Sequence, residues 1–395
     1  MLKCYFLILL FPYISLAQNK VNFNMGGEFK QTFCDTIPFE YTRGKIILPV
    51  IINDKKRRFI FDTGSSLAIS SELTNEINSE VIDDRKMTDA LGVQSNFEIV
   101  KVKRFQLKNT IFEDVPAVRL DVMNKGFLKC FDVEGIIGSN AIRNCIIQIN
   151  INERRIIISN DANRISFLNT NYLPLIFKDN QSSPYVEISL GNEIKFDALF
   201  DSGSDDIISI EKHYVDKRID MGLVKLLNSG FGQTAISVSE GNINQSFQRI
   251  NIQFIQIGKE KIKDVISIVE GEAIENSLGL GLAKYGVITL DYINKRFSFE
   301  PFHSDIKSLP HTIGFNIFPQ KDDYIVGLVW SNTNAERAGL KSGFKILKIE
   351  NLDFSTRSIQ NDCRLLFENY TDRDKLTISY ENEMKQIRTA TFIQE

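Results

Sequence analysis

Phe61-Asp62-Thr63-Gly64-Ser65-Ser66 returns later in the chain as Phe200-Asp201-Ser202-Gly203-Ser204-Asp205, with the two acidic residues 139 positions apart (201 − 62 = 139). Each copy closes a strand-like run, Arg58-Phe59-Ile60-Phe61 in the first and Phe196-Asp197-Ala198-Leu199-Phe200 in the second. A carboxylate followed by a hydroxyl residue, glycine and a second hydroxyl residue reads as a sharp turn with a charge at its tip. Upstream of the first copy, Ile46–Ile52 and Arg58–Phe61 flank a short polar Asn/Asp segment, the pattern of a β-hairpin. Upstream of the second, Tyr185–Leu190 alternates at period two and Gly191-Asn192-Glu193 makes the turn. A second landmark follows each copy: Ile136-Ile137-Gly138 and Ser277-Leu278-Gly279, whose glycines are 141 apart (279 − 138 = 141). Two landmarks at nearly one offset mark an internal duplication. The reading is mainly β, with two similar lobes at 39–160 and 173–301.

Composition narrows the function classes. The chain has 395 residues, long enough for two or three domains, and 43% of them are hydrophobic, enough for ordinary globular cores. With a formal charge of −3 and no basic block, it carries no electrostatic footprint for nucleic acid. The start combines Lys3, an apolar run from Tyr5 to Leu16 broken by Pro12, and Ser15-Leu16-Ala17. This describes a signal peptide over 1–17, cut after Ala17. The expectation is an exported protein, periplasmic, cell-surface or secreted, with no membrane span once the leader is removed. Residues 18–38 read as a polar N-terminal extension. Cys34, Cys130, Cys145 and Cys363 remain after the leader; four cysteines allow three connectivities, so pairing stays open. Cys363, in a separate C-terminal segment, is expected as an unpaired core residue.

After Pro301 and a short linker the pattern changes. Tyr324–Trp330 reads as a strand, followed by Asn334-Ala335-Glu336-Arg337-Ala338-Gly339-Leu340-Lys341-Ser342-Gly343 and the run Phe344–Ile349. This tail, 312–395, resembles a PDZ domain, a small α+β fold. The family's carboxylate-binding loop, apolar-Gly-apolar, matches Ile313-Gly314-Phe315, and its small helix-and-turn signature matches Ala335 to Gly343. The chain departs from the family with Phe344 where Asp is usual after the last glycine. The resemblance implies a groove for a peptide C-terminus, flanked by a helix over Ser355 to Tyr370.

Hydrolysing a peptide without metal or nucleophile takes a base to activate water and an acid to protonate the carbonyl or the leaving amine. Two carboxylates held so close that only one ionises near working pH can do both. Both turns resemble the Asp-Thr/Ser-Gly-Ser/Thr/Ala motif of aspartic proteases of the retropepsin and pepsin clan, and the lobes look closer to a fused pair of retropepsin-like domains. The resemblance implies Asp62 and Asp201 as the dyad and Thr63 and Ser202 as braces of the two turns. It implies Gly64 and Gly203 as the residues that keep the turns tight, and Ser65 and Ser204 as partners of the outer carboxylate oxygens. It also implies glycine-bearing flaps, by position Leu91-Gly92-Val93 and Gly230-Phe231-Gly232. Asp205-Asp206, straight after the second motif, is read as facing solvent.

Other chemistries lack their residues. The three histidines are His213, His303 and His311; the last two lie in the linker, and His213 reads as part of a surface helix. No nucleophile triad or zinc site can be assembled on that inventory, so no metal and no cofactor are expected. The function implied is an endopeptidase acting on protein or peptide substrates, with a C-terminal peptide ligand for the PDZ-like domain. The alternative is a non-catalytic peptide-binding adaptor of the cell envelope.

Overall fold

A computed structural model of the chain describes residues 11–12 and 21–395, apart from 89–93, 122, 124–125, 166–170, 193, 217–221, 234–243, 271–274, 305, 308–311, 369 and 371–372. The fold is mainly β. Each half begins with the expected hairpin. Lys45–Ile52 runs antiparallel to Lys55–Phe61, joined by Asn53 and Asp54, both at positive φ (51° and 57°). Asn and Asp tolerate that conformation, and its twist matches the flanking strands. In the second half Tyr185–Leu190 pairs with Ile194–Asp201, and Gly191 takes φ 60°.

In both halves the strand that ends at the acidic turn is joined in parallel by the short strand of the later landmark. Gly135–Ile137 lies along Phe59–Phe61, and Ser277–Gly279 along Leu199–Asp201. The landmark glycines are required by space. A Cβ on Gly138 would sit 2.2 Å from the Ser66 carbonyl carbon, and one on Gly279 would sit 2.3 Å from the Asp206 carbonyl oxygen. The offset seen in the sequence is therefore a packing demand met twice: backbone passes directly beneath each turn.

A shared sheet joins the halves. Ile146–Asn150 pairs antiparallel with Gly286–Asp291, and each carries its own partner, Arg155–Ser159 and Arg296–Pro301. Part of the stretch read as a polar extension is ordered into the sheet: Cys34–Pro38 forms a strand along Arg155–Ser159. Phe11–Pro12 pairs with Met87–Thr88. Among the described residues no helix is long and apolar enough to cross a membrane.

The C-terminal segment forms a separate sheet, in the order Phe315–Gln320, Asp323–Val329, Lys345–Ile349, Lys375–Glu381, Ile387–Ile393, with Leu352–Asp353 beside the third strand. One helix, Ile359–Phe367, is capped by the Ser358 hydroxyl. The sheet is not independent of the lobes. Its apolar core (Ile313, Phe315, Leu366) is continuous with first-lobe residues that include Ile60, Leu128 and Phe131.

Cys363 is not unpaired: it forms a disulfide with Cys130 on the first-lobe helix Gly126–Phe131, 233 residues away. Phe131 and Phe367 meet edge to face beside it, with ring centroids 5.7 Å apart. Two helices that pack against each other bring the thiols together, a proximity that no local pattern encodes. Cys145 is buried and free, and Cys34 is free and exposed.

Candidate active site

The two acidic turns face each other and hold each other. Thr63 Oγ1 donates to the Phe200 carbonyl (2.6 Å) and accepts from Ser202 N–H (2.9 Å). In return Ser202 Oγ donates to the Phe61 carbonyl (3.1 Å) and accepts from Thr63 N–H (2.9 Å). Each hydroxyl thus satisfies one buried donor and one buried acceptor of the opposite lobe, so separating the turns would orphan four buried main-chain groups. Below this exchange the arrangement repeats. Ser139 N–H donates to Ser65 O (2.9 Å) and Leu280 N–H to Ser204 O (2.8 Å).

Asp62 and Asp201 meet at the centre, 2% and 0% exposed. Each is held by an amide of its own turn: Gly64 N–H donates to Asp62 Oδ1 (2.9 Å), and Gly203 N–H to Asp201 Oδ1 (2.8 Å). Gly203 also clears the way for the pair, since a Cβ there would lie 2.5 Å from Asp62 Oδ2. The two carboxyls lie so close that the charge of one opposes ionisation of the other, which favours a single proton between them. Burial, and then the negative charge of Asp201, hold the Asp62 carboxyl well above the usual carboxylate range. Burial raises Asp201 as well, against the hydrogen bond it receives from Asp62 and the Gly203 amide. The proton belongs to the pair. A buried carboxyl beside a buried carboxylate is an acid and a base within one site.

The other residues expected at the site divide. Thr63 and Ser202 brace the turns as the motif implies. Ser65 and Ser204 do not bond the outer carboxylate oxygens: Ser65 Oγ donates to Ser66 O (3.0 Å), and Ser204 Oγ accepts from Asp206 N–H (3.4 Å). Each turn curls so that its second hydroxyl serves its own backbone, and Asp201 Oδ2 is left buried with no backbone or hydroxyl donor. Asp205 and Asp206 do not face open solvent. Both are half-buried, and Asp205 lies against the Arg43-Gly44 turn of the first lobe, where a Cβ on Gly44 would come within 2.2 Å of Asp205 Cβ.

Leu91-Gly92-Val93 lies outside the described residues. Gly230 and Gly232 lie on Val224–Gly232, which forms a hairpin arm with Gln245–Ile257. That arm is seated on the C-terminal sheet. Gln233 N–H donates to Gly327 O (2.9 Å), Ser331 N–H to Ser229 O (2.7 Å), and Asn228 Nδ2 to Ser331 O (2.8 Å). The glycines permit this approach, since a Cβ on Gly232 would fall 1.9 Å from Gly327 O. Trp330 closes the contact in an apolar cluster with Leu328 and Phe247 of the hairpin. In the Ile313-Gly314-Phe315 loop both apolar side chains are buried; Gly314 N–H donates to Thr312 Oγ1 (3.1 Å), and its carbonyl accepts from Trp330 N–H (2.8 Å). Thr312 also exchanges main-chain bonds with Glu395. The flanking helix is shorter than expected, Ile359–Phe367, because the chain enters it only at the Ser358 cap. His213 is on the short helix Lys212–Asp216, its side chain 60% exposed. No cluster of metal-binding side chains occurs among the described residues.

One residue of the site escaped the sequence reading. Lys45, at the start of the first hairpin, is 1% exposed, and its ammonium donates to the Gly203 carbonyl of the opposite lobe. A lysine opening a strand reads as a surface residue; only the meeting of the two lobes buries it.

The sequence model of a family described as "Aspartyl protease" matches residues 48–141, a span that contains the first acidic turn and stops short of the second. No curated protein matches the chain. Basic 7S globulin from soybean is similar to it at 10% identity, TM-score 0.41, over 68% of this chain and 95% of that one. The aspartic proteinase from Irpex lacteus is similar at 11% identity, TM-score 0.43, over 69% of this chain and 98% of that one. A retropepsin-like aspartic protease from Rickettsia conorii is similar at 13% identity, TM-score 0.24, over 33% of this chain and 96% of that one.

Proposed function

We propose that the chain is an exported aspartic endopeptidase in which Asp62 and Asp201 act as one catalytic pair. The observation that carries this reading is the reciprocal cross-lobe grip of Thr63 and Ser202, which holds two buried carboxyl groups where they share a proton. The ionised member accepts a proton from a water molecule as its oxygen attacks the peptide carbonyl carbon, and the protonated member donates to the carbonyl oxygen. The tetrahedral diol then collapses: one carboxyl gives its proton to the leaving nitrogen, the other takes a proton from a diol hydroxyl, the C–N bond breaks, and the pair again holds one proton. The family match over residues 48–141 supports a peptidase role. Substrate is taken as an extended peptide between lobes 39–160 and 173–301.

The remaining parts of the reading are proposals on the same footing. The leader at 1–17 directs export to the periplasm, cell surface or medium. The segment 312–395 acts as a PDZ-like domain that binds peptide C-termini or restrains the protease lobes. The seating of the Val224–Gly232 arm on this segment favours restraint, because the contact joins a candidate flap to the C-terminal sheet.

The test is cleavage of a diverse peptide library by the full chain from pH 3 to 8, read by mass spectrometry beside Asp62→Asn and Asp201→Asn. The expected result is cutting that drops by about 10²–10⁴-fold in both variants. Cutting retained by either variant would rule out the pair. Peptide binding that survives in both variants, with no cutting by the wild-type chain, would favour the adaptor reading.

A further inference from the structure

Lys45 opens the strand Lys45–Ile52 after a turn in which Arg43 and Gly44 both take positive φ (50° and 71°). Continuing the hairpin register one step beyond Ile46↔Phe61 sets Lys45 opposite Asp62. An ammonium so fully buried needs both partners and counter-charge. Its hydrogen-bond partner is the Gly203 carbonyl. That carbonyl belongs to the same peptide unit as the Ser204 N–H, and this N–H donates to the Asp201 main-chain carbonyl (3.2 Å), closing the second acidic turn. Lys45 therefore grips the residue whose own N–H holds Asp201 Oδ1 (2.8 Å), and hydrogen bonds linked through one turn strengthen one another.

Among the described residues the second lobe has no equivalent. Continuing its register beyond Tyr185↔Leu199 brings Ser183, a neutral residue, opposite Asp201. Ser183 Oγ accepts from Gln181 Nε2 (3.0 Å), and Gln181 Oε1 accepts from Ser66 Oγ (2.6 Å). The two lobes thus share a backbone plan around the carboxyls, and a single buried positive charge breaks the symmetry.

We infer that Lys45 is a positioning residue that sets the pH window of the carboxyl pair, by its charge beside both carboxyls and by its grip on the Gly203–Ser204 peptide. The reading rests on the peptidase proposal for its kinetic arm. The carboxyls that feel its charge are Asp62 and Asp201; at the turn before it Gly44 packs on Asp205, and Asp205 acts on Tyr41. The ammonium favours the ionised form of both dyad members. Loss of its charge therefore moves the whole active window toward higher pH.

The experiment compares full-length wild type with Lys45→Met, Lys45→Gln and Lys45→Arg. Peptide cleavage is followed against pH, and the aspartate carboxyls are titrated by ¹³C NMR, with Asp62→Asn and Asp201→Asn as assignments. Lys45→Met and Lys45→Gln are expected to raise both limbs of the pH profile, and the dyad carboxyl titration, by about one pH unit. Lys45→Arg should stay near wild type. Lys45→Gln keeps a donor for Gly203 without the charge, so it carries the test if Lys45→Met does not fold. The inference is overturned if Lys45→Gln titrates and cuts with the wild-type profile, or if Lys45→Arg shifts as far as Lys45→Gln. A wild-type chain that cuts nothing, with carboxyls that still move on loss of Lys45, would end the peptidase proposal and leave the role of Lys45 standing.

Discussion

The two acidic turns are alike in backbone and unlike in surroundings. Each is held by its own glycine amide, undercut by its own landmark glycine, and bolted to the other by a hydroxyl. Their surroundings diverge. Behind the first turn Ser139 Oγ donates to Thr63 O (2.6 Å) and meets Tyr292 Oη at 2.9 Å, whereas Leu280 stands in the matching place of the second. Lys45 approaches from the first-lobe side, and Ser183 takes its register position on the second. Duplication thus explains how the carboxyls are positioned. The later differences between the lobes decide how the shared proton is held.

The sharpest way to break the comparison is at Gly203. A Cβ there meets the Asp62 carboxylate at 2.5 Å, so Gly203→Ala forces the second turn and the Asp62 carboxylate apart. Peptide cleavage assays should show a loss comparable to that of Asp62→Asn, about 10²-fold or more. Retained activity would mean that the carboxyls need not approach as described. The equivalence of the hydroxyl braces is tested by Thr63→Val against Ser202→Ala. Each leaves a buried donor and acceptor unmet, at about 2–4 kcal/mol in urea denaturation. Similar costs uphold the exchange as symmetric, and a large cost from one alone would show that one lobe carries the grip.

What was legible in the sequence follows from locality. The turns, their hairpins and the landmark glycines are short patterns with a steric reason in each residue, so Asp62, Asp201, Gly138 and Gly279 could be read directly. Lys45 could not, because its burial depends on a second lobe that arrives well over a hundred residues later. The Cys130–Cys363 bridge and the strand Cys34–Pro38 failed for the same reason: their partners are set by packing of distant elements. Ser65 and Ser204 failed differently. The motif supplied the hydroxyls, and the local curl of each turn aimed them at backbone instead of carboxylate.

The central claim is that two buried carboxyls share a proton across the lobe interface, and thermal denaturation of wild type and Asp62→Asn from pH 3 to 8 tests it without any substrate. A carboxyl pair raised in the folded state is fully stabilising only below the unfolded carboxylate range, near pH 4, and that stability is lost as pH rises toward the folded value. Asparagine cannot ionise, so the variant does not share this loss. Asp62→Asn should therefore melt above wild type at pH 7, by about 1.4 kcal/mol for each pH unit by which the pair is raised, and the gap should close toward pH 4. A constant difference across the range, or a variant less stable at pH 7 than at pH 4 relative to wild type, would contradict a shared proton.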